Sequence, residues 1–406
     1  MKERRVYWED RISSVFYTES ELLRIAEKHL ARNYDPPEKI FINGGGWRVQ
    51  DFNGRNFYDI NACYSALPLG HRAFWSLDIF PRYFHEPNRI LFAKELAEFC
   101  GMEMVCPMNT GAEAVETAIK LARKWGYLVK KIEKDRAEII VCKNNFHGRT
   151  TTIVGFSSNP QYYELFGPKT PGFVSIFFGN IDALRKAITP QTAAFLAEPI
   201  QGEGGIIIPP NGYFCGVRDI CSKNNILMIL DEVQTGFGRT GTRFAFDYED
   251  VQPDVLILGK ALGGGEDDIS AVVSSGEIMG LFQPGDHGST FGGNPKACRS
   301  AREFLRKFQE LKLAENSRIQ GEYFLKKLKE FAGKRSSIKE VRGRGLFIGV
   351  EFNEKFSAKR ASQALLETGF LTVIAQNNVL RLSPPLTITK EEIDKVMAGF
   401  QKTDIP

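Results

Sequence analysis

The chain has 406 residues, enough for about two to three domains of ~150 residues with a large buried core. Its formal net charge of +4 is small for this length and gives no reason to expect nucleic acid or a membrane surface as a partner. No apolar run reaches the ~18 residues of a membrane-spanning helix. No apolar segment typical of a secretory signal follows Met1–Arg5.

The number and spacing of the cysteines and histidines indicate the cellular compartment and whether a metal site is to be expected. The seven cysteines are scattered, odd in number and without a C-x-x-C pair, so they predict reduced thiols in a cytoplasmic protein. The five histidines are isolated in the sequence and lack zinc-ligand spacing. We therefore expect a cytoplasmic protein without a bound metal.

Predicted elements follow one another in a regular order. A capped helix is predicted over residues 20–31, and β signals follow Pro36-Pro37, with a hairpin turn at Asn53-Gly54. From about residue 95, helical patterns over residues 112–130, 182–188, 212–223 and 296–311 alternate with short apolar runs. The apolar runs predict strands at residues 139–141, 152–154, 194–196, 227–230, 255–258 and 271–273. This alternation predicts an α/β fold with a mostly parallel sheet covered on both faces.

The C-terminal stretch differs in character and predicts a smaller α+β domain. A charged helix over 315–332 precedes an apolar strand that follows Arg342–Gly345, and a strand at 379–382 precedes a last helix from Lys390. The Arg-Gly pair before the first of these strands predicts a tight turn rather than an RNA-binding repeat. The expected domains are an N-terminal segment that is part of the small domain (1–62), a large domain (63–306) and a C-terminal small domain (307–406).

Three short motifs suggest chemistry. Asn109–Glu113 opens a helix with capping-box spacing, and Gly111 lets a phosphate approach the helix N–H groups, although most such boxes only cap. Asp231 and Glu232 directly follow an apolar strand, where α/β sheets place ligands, but an acid there can also cap a helix. Lys260 ends another apolar strand before three glycines. A lysine there is either a desolvated Schiff-base nucleophile or a surface residue in a flexible turn.

The three motifs together are more specific than any one of them. Pyridoxal 5′-phosphate (PLP) needs a phosphate cradle, a lysine that forms a Schiff base, and an acid that keeps the pyridine nitrogen protonated. The chain supplies them in the order cradle, acid, lysine, and its motifs resemble those of the class III aminotransferases of fold type I, among them the ornithine aminotransferases. The resemblance extends from about residue 30 to the end. It is carried by residues 108–117, 145–150, 198–203, 231–236, 259–262 and 287–295.

The resemblance implies PLP as the cofactor and assigns residues to its ring. Lys260 would be the Schiff-base lysine and would carry the catalytic proton. Asp231 would keep the pyridine nitrogen protonated, Gln234 would contact the ring hydroxyl, and Phe146 would stack on the ring. Each of these roles comes from the match to the family's motifs.

The resemblance also assigns the cofactor phosphate. Gly111 and Ala112 would donate backbone N–H groups to it, and Thr290 would reach the phosphate of the neighbouring subunit's cofactor. We therefore expect a homodimer or a larger assembly with shared active sites. Its other partners would be small-molecule substrates.

On the substrate side, the resemblance implies an amino donor of the ornithine type. Arg149 would bind the α-carboxylate, and Glu203 paired with Arg381 would mask a second carboxylate site until glutamate binds. Tyr34 and Tyr64 match the family's substrate-side tyrosines, although each could be an ordinary packing residue. The implied reaction transfers the δ-amino group of ornithine to 2-oxoglutarate. Its products are glutamate and glutamate-5-semialdehyde, which cyclises to pyrroline-5-carboxylate, in proline biosynthesis and arginine metabolism.

Two segments depart from the family's pattern. The stretch over 72–81 is shorter than in the family, and Glu266–Asp268 replaces an apolar-aromatic-proline stretch soon after Lys260. Acidic residues there would favour a protonated lysine unless they point to solvent. The alternatives are an acetylornithine or 4-aminobutyrate aminotransferase, an amino-acid racemase, or a PLP-binding dimer that has lost turnover.

Overall fold

The computed structural model describes residues 6–7, 16–33, 36–45, 48–58 and 84–405. Its helices are α1 (Glu19–His29), α2 (Pro87–Cys100), α3 (Gly111–Leu128), α4 (Thr151–Gly155), α5 (Pro160–Tyr163), α6 (Ile181–Ala187), α7 (Tyr213–Lys223), α8 (Gly276–Met279), α9 (Pro295–Glu310), α10 (Leu313–Ala332), α11 (Ala358–Glu367) and α12 (Lys390–Gln401). Over these ranges, no helix combines the length and the apolar character that crossing a membrane requires.

The described residues also form β-strands, some of them only two or three residues long. They are β1 (Val6–Tyr7), β2 (Phe16–Tyr17), β3 (Phe41–Gly45), β4 (Arg48–Asp51), β5 (Asn56–Tyr58), β6 (Met104–Met108), β7 (Glu138–Cys142), β8 (Phe173–Ile176), β9 (Thr192–Ala197), β10 (Leu227–Asp231), β11 (Val255–Leu258), β12 (Ser270–Ser274), β13 (Ile338–Arg344), β14 (Phe347–Phe352), β15 (Val373–Ala375) and β16 (Val379–Leu382). Two short 3-10 helices cover Ala245–Glu249 and Lys260–Gly263.

The chain forms two compact units. The first consists of residues 1–134 and 254–307, and the second of residues 135–253 and 308–406. Each unit therefore joins two stretches that are far apart in the sequence. The domain limits that the sequence suggests, at 62/63 and 306/307, stay a prediction.

The first unit contains antiparallel strands and the helix that opens at Gly111. Strand β12 lies between β6 and β11 and is antiparallel to both, so that Val272 faces Ile257 on one side and Cys106 on the other. All three strands are buried, and α3 packs against β11 and β12. Strands β3, β4 and β5 form a separate meander, and the turn between β4 and β5 contains Gly54, whose φ of 82° favours glycine. This confirms the predicted hairpin turn.

The second unit contains a sheet of four parallel strands. Strand β9 lies between β7 and β10, β7 also pairs with β8, and all of these pairings are parallel. Strands β9 and β10 are buried throughout, as expected for apolar strands covered on both faces. The mostly parallel sheet predicted from the sequence is confirmed. Because parallel strands share one carboxyl edge, the residues that follow β7, β9 and β10 come together there.

A second sheet in the same unit is antiparallel, in the order β13-β14-β16-β15. Helix α10 packs on β13, and α11 packs on β15 and β16. Strands β13 and β14 are joined at Gly345, which has a φ of 52°, and a Cβ there would lie 2.3 Å from the carbonyl carbon of Thr240. The predicted tight turn and α+β character of this region are confirmed.

One predicted strand is wrong. Residues 152–154 lie in the short helix α4, not in a strand. The Thr150 side chain caps this helix by accepting a hydrogen bond from the Ile153 N–H at 3.2 Å. A short apolar run does not distinguish a strand from one turn of buried helix, so the cap decides the structure here.

Candidate active site

Asp231 ends strand β10 and is buried, with 5% of its surface exposed. Its Oδ1 accepts a hydrogen bond from the Val233 N–H at 3.0 Å, and its Oδ2 lies 2.7 Å from His147 Nδ1. Because a carboxylate only accepts, the imidazole donates in this contact. Burial alone would lower the pKa of His147, but the hydrogen bond and negative charge of Asp231 raise it above its ordinary value. The pair therefore favours an imidazolium beside a carboxylate.

Glu198 adds a second buried carboxyl group to this pair. It follows β9 and accepts hydrogen bonds from the N–H groups of Phe146 at 3.0 Å and Gly202 at 3.2 Å. Burial raises the pKa of Glu198 to about 7; the His147 charge opposes this shift and the Asp231 charge adds to it. Glu198 thus carries a titrating charge near neutral pH and holds two backbone segments in place.

His147, Glu198 and Asp231 come from the carboxyl ends of three parallel strands in the second unit, where open α/β sheets bind ligands. The sequence motifs contain His147 and Glu198, but sequence reasoning gave neither of them a role. A signal was present, because each belongs to a run that resembles the family. What the sequence could not reveal is that residues 84 positions apart meet in one hydrogen bond.

Glu203 and Arg381, to which the resemblance assigns a masking role, contact each other in the structure. Glu203 and Arg381 form a hydrogen-bonded ion pair, with side chains 22% and 11% exposed. Arg149 is exposed, and its guanidinium carbon lies 3.8 Å from the centre of the Tyr162 ring and 5.4 Å from that of Phe146. Among the residues that the structure describes, no carboxylate pairs with Arg149. Cation–π contacts hold this side chain without neutralising it.

Gln234 lies against the loop that follows Glu198. A Cβ at Gly202 would come within 1.8 Å of Gln234 Oε1, so the amide occupies the space that a larger residue would need. Gly202 is itself fixed by its hydrogen bond to Glu198. The structure therefore brings Phe146, Gln234 and Asp231 together with one connected set of contacts, all within the second unit.

The predicted phosphate cradle lies in the first unit. Helix α3 begins at Gly111 with the full capping box: Thr110 Oγ1 accepts from the Glu113 N–H, and the Glu113 carboxylate accepts from the Thr110 N–H. Asn109 Nδ2 donates to Ser289 Oγ at 2.9 Å. The half-buried Thr290 follows in the same loop. The helix start that carries Ala112 and the loop that carries Thr290 are thus tied together.

Lys260 follows the buried strand β11 and lies in the left-handed region, with a φ of 45°. This conformation is uncommon for residues other than glycine and is often retained at functional sites. The lysine itself is exposed, so the desolvated environment considered from the sequence is not observed. Strand β11 ends at Leu258, Gly259 is still buried, and Lys260 is the first residue of the 3-10 helix that follows.

The acidic stretch after Lys260 is partly neutralised. Asp267 accepts hydrogen bonds from Ser300 Oγ and from Lys296 Nζ, the latter at 2.9 Å. Burial would raise the pKa of Asp267, but these two hydrogen bonds outweigh it and lower the pKa. Glu266 and Asp268 are exposed, and all of these residues belong to the first unit. Because Asp267 is paired and the other two acidic side chains are exposed, we expect the stretch to favour a protonated Lys260 less than the sequence suggested.

Three predictions lie outside the described residues. They concern the two substrate-side tyrosines, Tyr34 and Tyr64, and the shortened stretch over 72–81. Their roles stay predictions from the resemblance. The remaining site residues all fall within ranges that the structure describes.

Comparison with known proteins supports a single family. The model of a family described as Aminotransferase class-III matches residues 29–403. The ornithine aminotransferase of Geobacillus sp. (strain WCH70) is 47% identical over 393 residues, which is 94% of this chain and 98% of that protein. The crystal structure of the ornithine aminotransferase from Toxoplasma gondii ME49 is similar with a TM-score of 0.79 at 40% identity, covering 95% of this chain and 94% of that one. The acetylornithine aminotransferase from Elizabethkingia anophelis is similar with a TM-score of 0.72 at 38% identity, covering 95% and 98%.

The chain belongs to the class III aminotransferases. It is a PLP-dependent aminotransferase of fold type I, as the resemblance in the sequence implied. The residues present fit this cofactor. Oδ1 of the buried Asp231 accepts from Val233, and Oδ2 accepts from His147. A carboxylate oxygen can accept a second hydrogen bond, so either oxygen could also accept one from a protonated ring nitrogen. The start of α3 at Gly111 offers N–H groups without a Cβ in front of them.

The raised pKa of Glu198 predicts a pH-dependent stability. The folded protein keeps a proton on Glu198 that the unfolded chain releases, so this group's contribution to stability is lost as the pH rises from about 4.5 to about 7. Glu198→Gln removes that contribution. We expect the melting temperature of the variant, relative to wild type, to rise between pH 5 and pH 8. The matched change Glu354→Gln, at an exposed site, should leave this difference flat, and an equally flat difference for Glu198→Gln would contradict the assignment.

Proposed function

We propose that the protein is an ornithine aminotransferase, which transfers the δ-amino group of ornithine to 2-oxoglutarate. The products are glutamate and glutamate-5-semialdehyde, which cyclises to pyrroline-5-carboxylate. The observation that carries the proposal is the ion pair between Glu203 and Arg381. An enzyme that accepts a diamine with one carboxylate and then a dicarboxylate must offer one arginine to the first substrate and two to the second. Glu203 would cover Arg381 while ornithine is bound and would move away when the dicarboxylate binds, so that Arg381 becomes the second arginine.

Arg149 is proposed to bind the carboxylate that both substrates share. Its guanidinium is exposed and rests on the Tyr162 ring, so its donors are available for a bidentate contact. With the α-carboxylate of ornithine held there, the δ-amine is the group presented for reaction. The relatives named ornithine aminotransferase, at 47% identity over 94% of this chain, support the same donor.

When bound, PLP supplies a protonated ring that withdraws electrons from the carbon bearing the substrate nitrogen. We assign the proton transfer at that carbon to the Lys260 amine, acting first as base and then as acid. Asp231, supported by His147, keeps the ring nitrogen protonated. Phe146 stacks on the ring, and Gln234 contacts the ring hydroxyl. In this proposal, Gly111 and Ala112 donate backbone N–H groups to the phosphate.

The assembly and the location are further proposals. Thr290 is proposed to contact the cofactor phosphate of a neighbouring subunit, in a homodimer with shared active sites, as the family resemblance implies. The ornithine reaction would place the enzyme in proline biosynthesis and arginine metabolism. The cysteines described in the structure are free thiols, which supports a reducing compartment, the cytoplasm. Light scattering of the holoenzyme tests the dimer.

A panel of amine donors tests the proposed donor. We expect holoenzyme mixed with ornithine alone to convert its cofactor to the aminated form faster than with acetylornithine, lysine or 4-aminobutyrate. The absorbance change of the cofactor measures this half-reaction. A preference for acetylornithine or 4-aminobutyrate would support those alternatives. Racemisation of ornithine without amination of the cofactor would indicate a racemase, and cofactor binding without any half-reaction would indicate lost turnover.

A substitution of Arg149 tests whether this residue binds the carboxylate of the donor rather than assisting the reaction of its amine. We expect Arg149→Leu to lower kcat/KM for ornithine by about 10- to 100-fold, because charge-assisted hydrogen bonds to the α-carboxylate are lost. 1,4-Diaminobutane, which is ornithine without its carboxylate, should react equally well with variant and wild type. Arg185→Leu, at an exposed arginine paired with Asp182, is the control. Equal losses for both amines would show that Arg149 does not bind the carboxylate.

A further inference from the structure

The turn between β15 and β16 holds the backbone of the segment that carries Glu203. Gln376 donates its N–H to the Glu203 carbonyl at 2.9 Å, and Asn377 Nδ2 donates to the Gly204 carbonyl at 2.8 Å. Asn377 has a φ of 58°, a left-handed conformation that asparagine tolerates in tight turns. Strand β16, which begins after this turn, carries the partner of Glu203. Both members of the ion pair are therefore fixed to one hairpin.

A second contact holds the same segment from β13. Arg342 donates from Nη2 to the Gly205 carbonyl at 2.6 Å and from Nε to the Ile206 carbonyl at 3.0 Å. Gly205 also approaches the turn closely, because a Cβ there would lie 3.2 Å from the Gln376 carbonyl oxygen. With its backbone held on both sides, Glu203 can release Arg381 by rotating its side chain alone.

The side chain of Gln376 contacts Tyr162, the ring that supports Arg149. Its Nε2 donates to the Tyr162 hydroxyl at 3.4 Å. The Tyr162 ring lies 3.8 Å from the guanidinium carbon of Arg149 and 5.9 Å from the Phe146 ring, edge to face. Gln376 thus contacts the supports of both carboxylate-binding arginines, through its backbone for Glu203 and through its amide for Tyr162.

We propose that Gln376 is a positioning residue that sets the span between Arg149 and Arg381 and thereby selects the chain length of the dicarboxylate acceptor. The proposal rests on the proposed function, in which a five-carbon dicarboxylate engages both arginines at once, whereas ornithine engages Arg149 alone. A change in span alters the fit of the acceptor more than that of the donor. The acceptor one carbon shorter, oxaloacetate, is the natural comparison.

Two variants remove the amide-to-hydroxyl contact from either side. Gln376→Ala keeps the backbone N–H, and Tyr162→Phe removes one oxygen atom while keeping the ring beneath Arg149. Gln320→Ala is a matched control, since Gln320 also makes a 3.4 Å amide hydrogen bond, to Asn316 within α10. Tyr163→Phe is the second control, because this neighbouring ring contacts Lys169 rather than Arg149. The melting temperature of each variant checks that it folds.

The acceptor half-reaction is measured on protein loaded with pyridoxamine 5′-phosphate, so it does not depend on ornithine. We expect each variant to lower the kcat/KM ratio of 2-oxoglutarate to oxaloacetate by about threefold to tenfold, the range of one lost hydrogen bond. The change should appear in KM with kcat retained. The double variant should show no more than the larger single effect, because both changes break one contact. The controls should keep the wild-type ratio.

A wild-type ratio in both variants, equal losses for the two acceptors, or fully additive effects would overturn the proposal. A failure of the proposed function is a separate result. In that case wild-type holoenzyme gives no amination with ornithine, whatever the acceptor ratio of the pyridoxamine-loaded protein. The ornithine half-reaction of the two control variants, Gln320→Ala and Tyr163→Phe, should stay within about twofold of wild type.

Discussion

The hydrogen bond between His147 and Asp231 is the contact on which the proposed chemistry depends. Two ionisable groups in the protein interior are costly unless each neutralises the other. At 2.7 Å, with Asp231 5% exposed, they do so. In this pairing the imidazole N–H of His147 donates to Oδ2 of Asp231, the carboxyl group that we assign to the ring nitrogen of the cofactor. In the proposed function, His147 therefore supports the cofactor through Asp231 without needing to touch the substrate.

The residues around this pair are connected to one another by hydrogen bonds to the backbone and by ring contacts. Glu198 holds the N–H groups of Phe146 and Gly202, so the same buried carboxyl places the aromatic ring and starts the loop that contains Glu203. From Phe146 the contacts continue to Tyr162 and Arg149. The groups assigned to the cofactor and those assigned to the substrate are, within the second unit, parts of one connected structure.

The sequence predicted features that depend on local pattern or on family motifs. The end of β10 at Asp231 and the end of β11 shortly before Lys260 follow from apolar runs with an abrupt polar stop. The match of Glu203 with Arg381, 178 positions apart, comes from the motif resemblance. Long-range contacts without a motif were not predictable, and the contact between Gln376 and Tyr162 is one. A short apolar pattern also fails to predict the element where a capping side chain favours a helix over a strand. The apolar run that contains Ile153 is a helix because a threonine caps it, a choice that apolarity does not encode.

Burial was the other quantity that the sequence could not supply. Lys260 follows a buried strand yet is exposed. Asp267 is paired with Lys296 and accepts a hydrogen bond from Ser300, both of which belong to α9. Neither outcome is visible in the order of residues around the lysine. Both depend on where the chain leaves the sheet and on which helix packs beside it.

In the proposed function, the enzyme takes the δ-nitrogen of ornithine. Holoenzyme incubated with 2-oxoglutarate and ornithine labelled with nitrogen-15 at the δ position tests it directly, with mass spectrometry of the glutamate formed. We expect labelled glutamate from δ-labelled ornithine and unlabelled glutamate from α-labelled ornithine. Labelled glutamate from the α-labelled substrate, with none from the δ-labelled one, would contradict it.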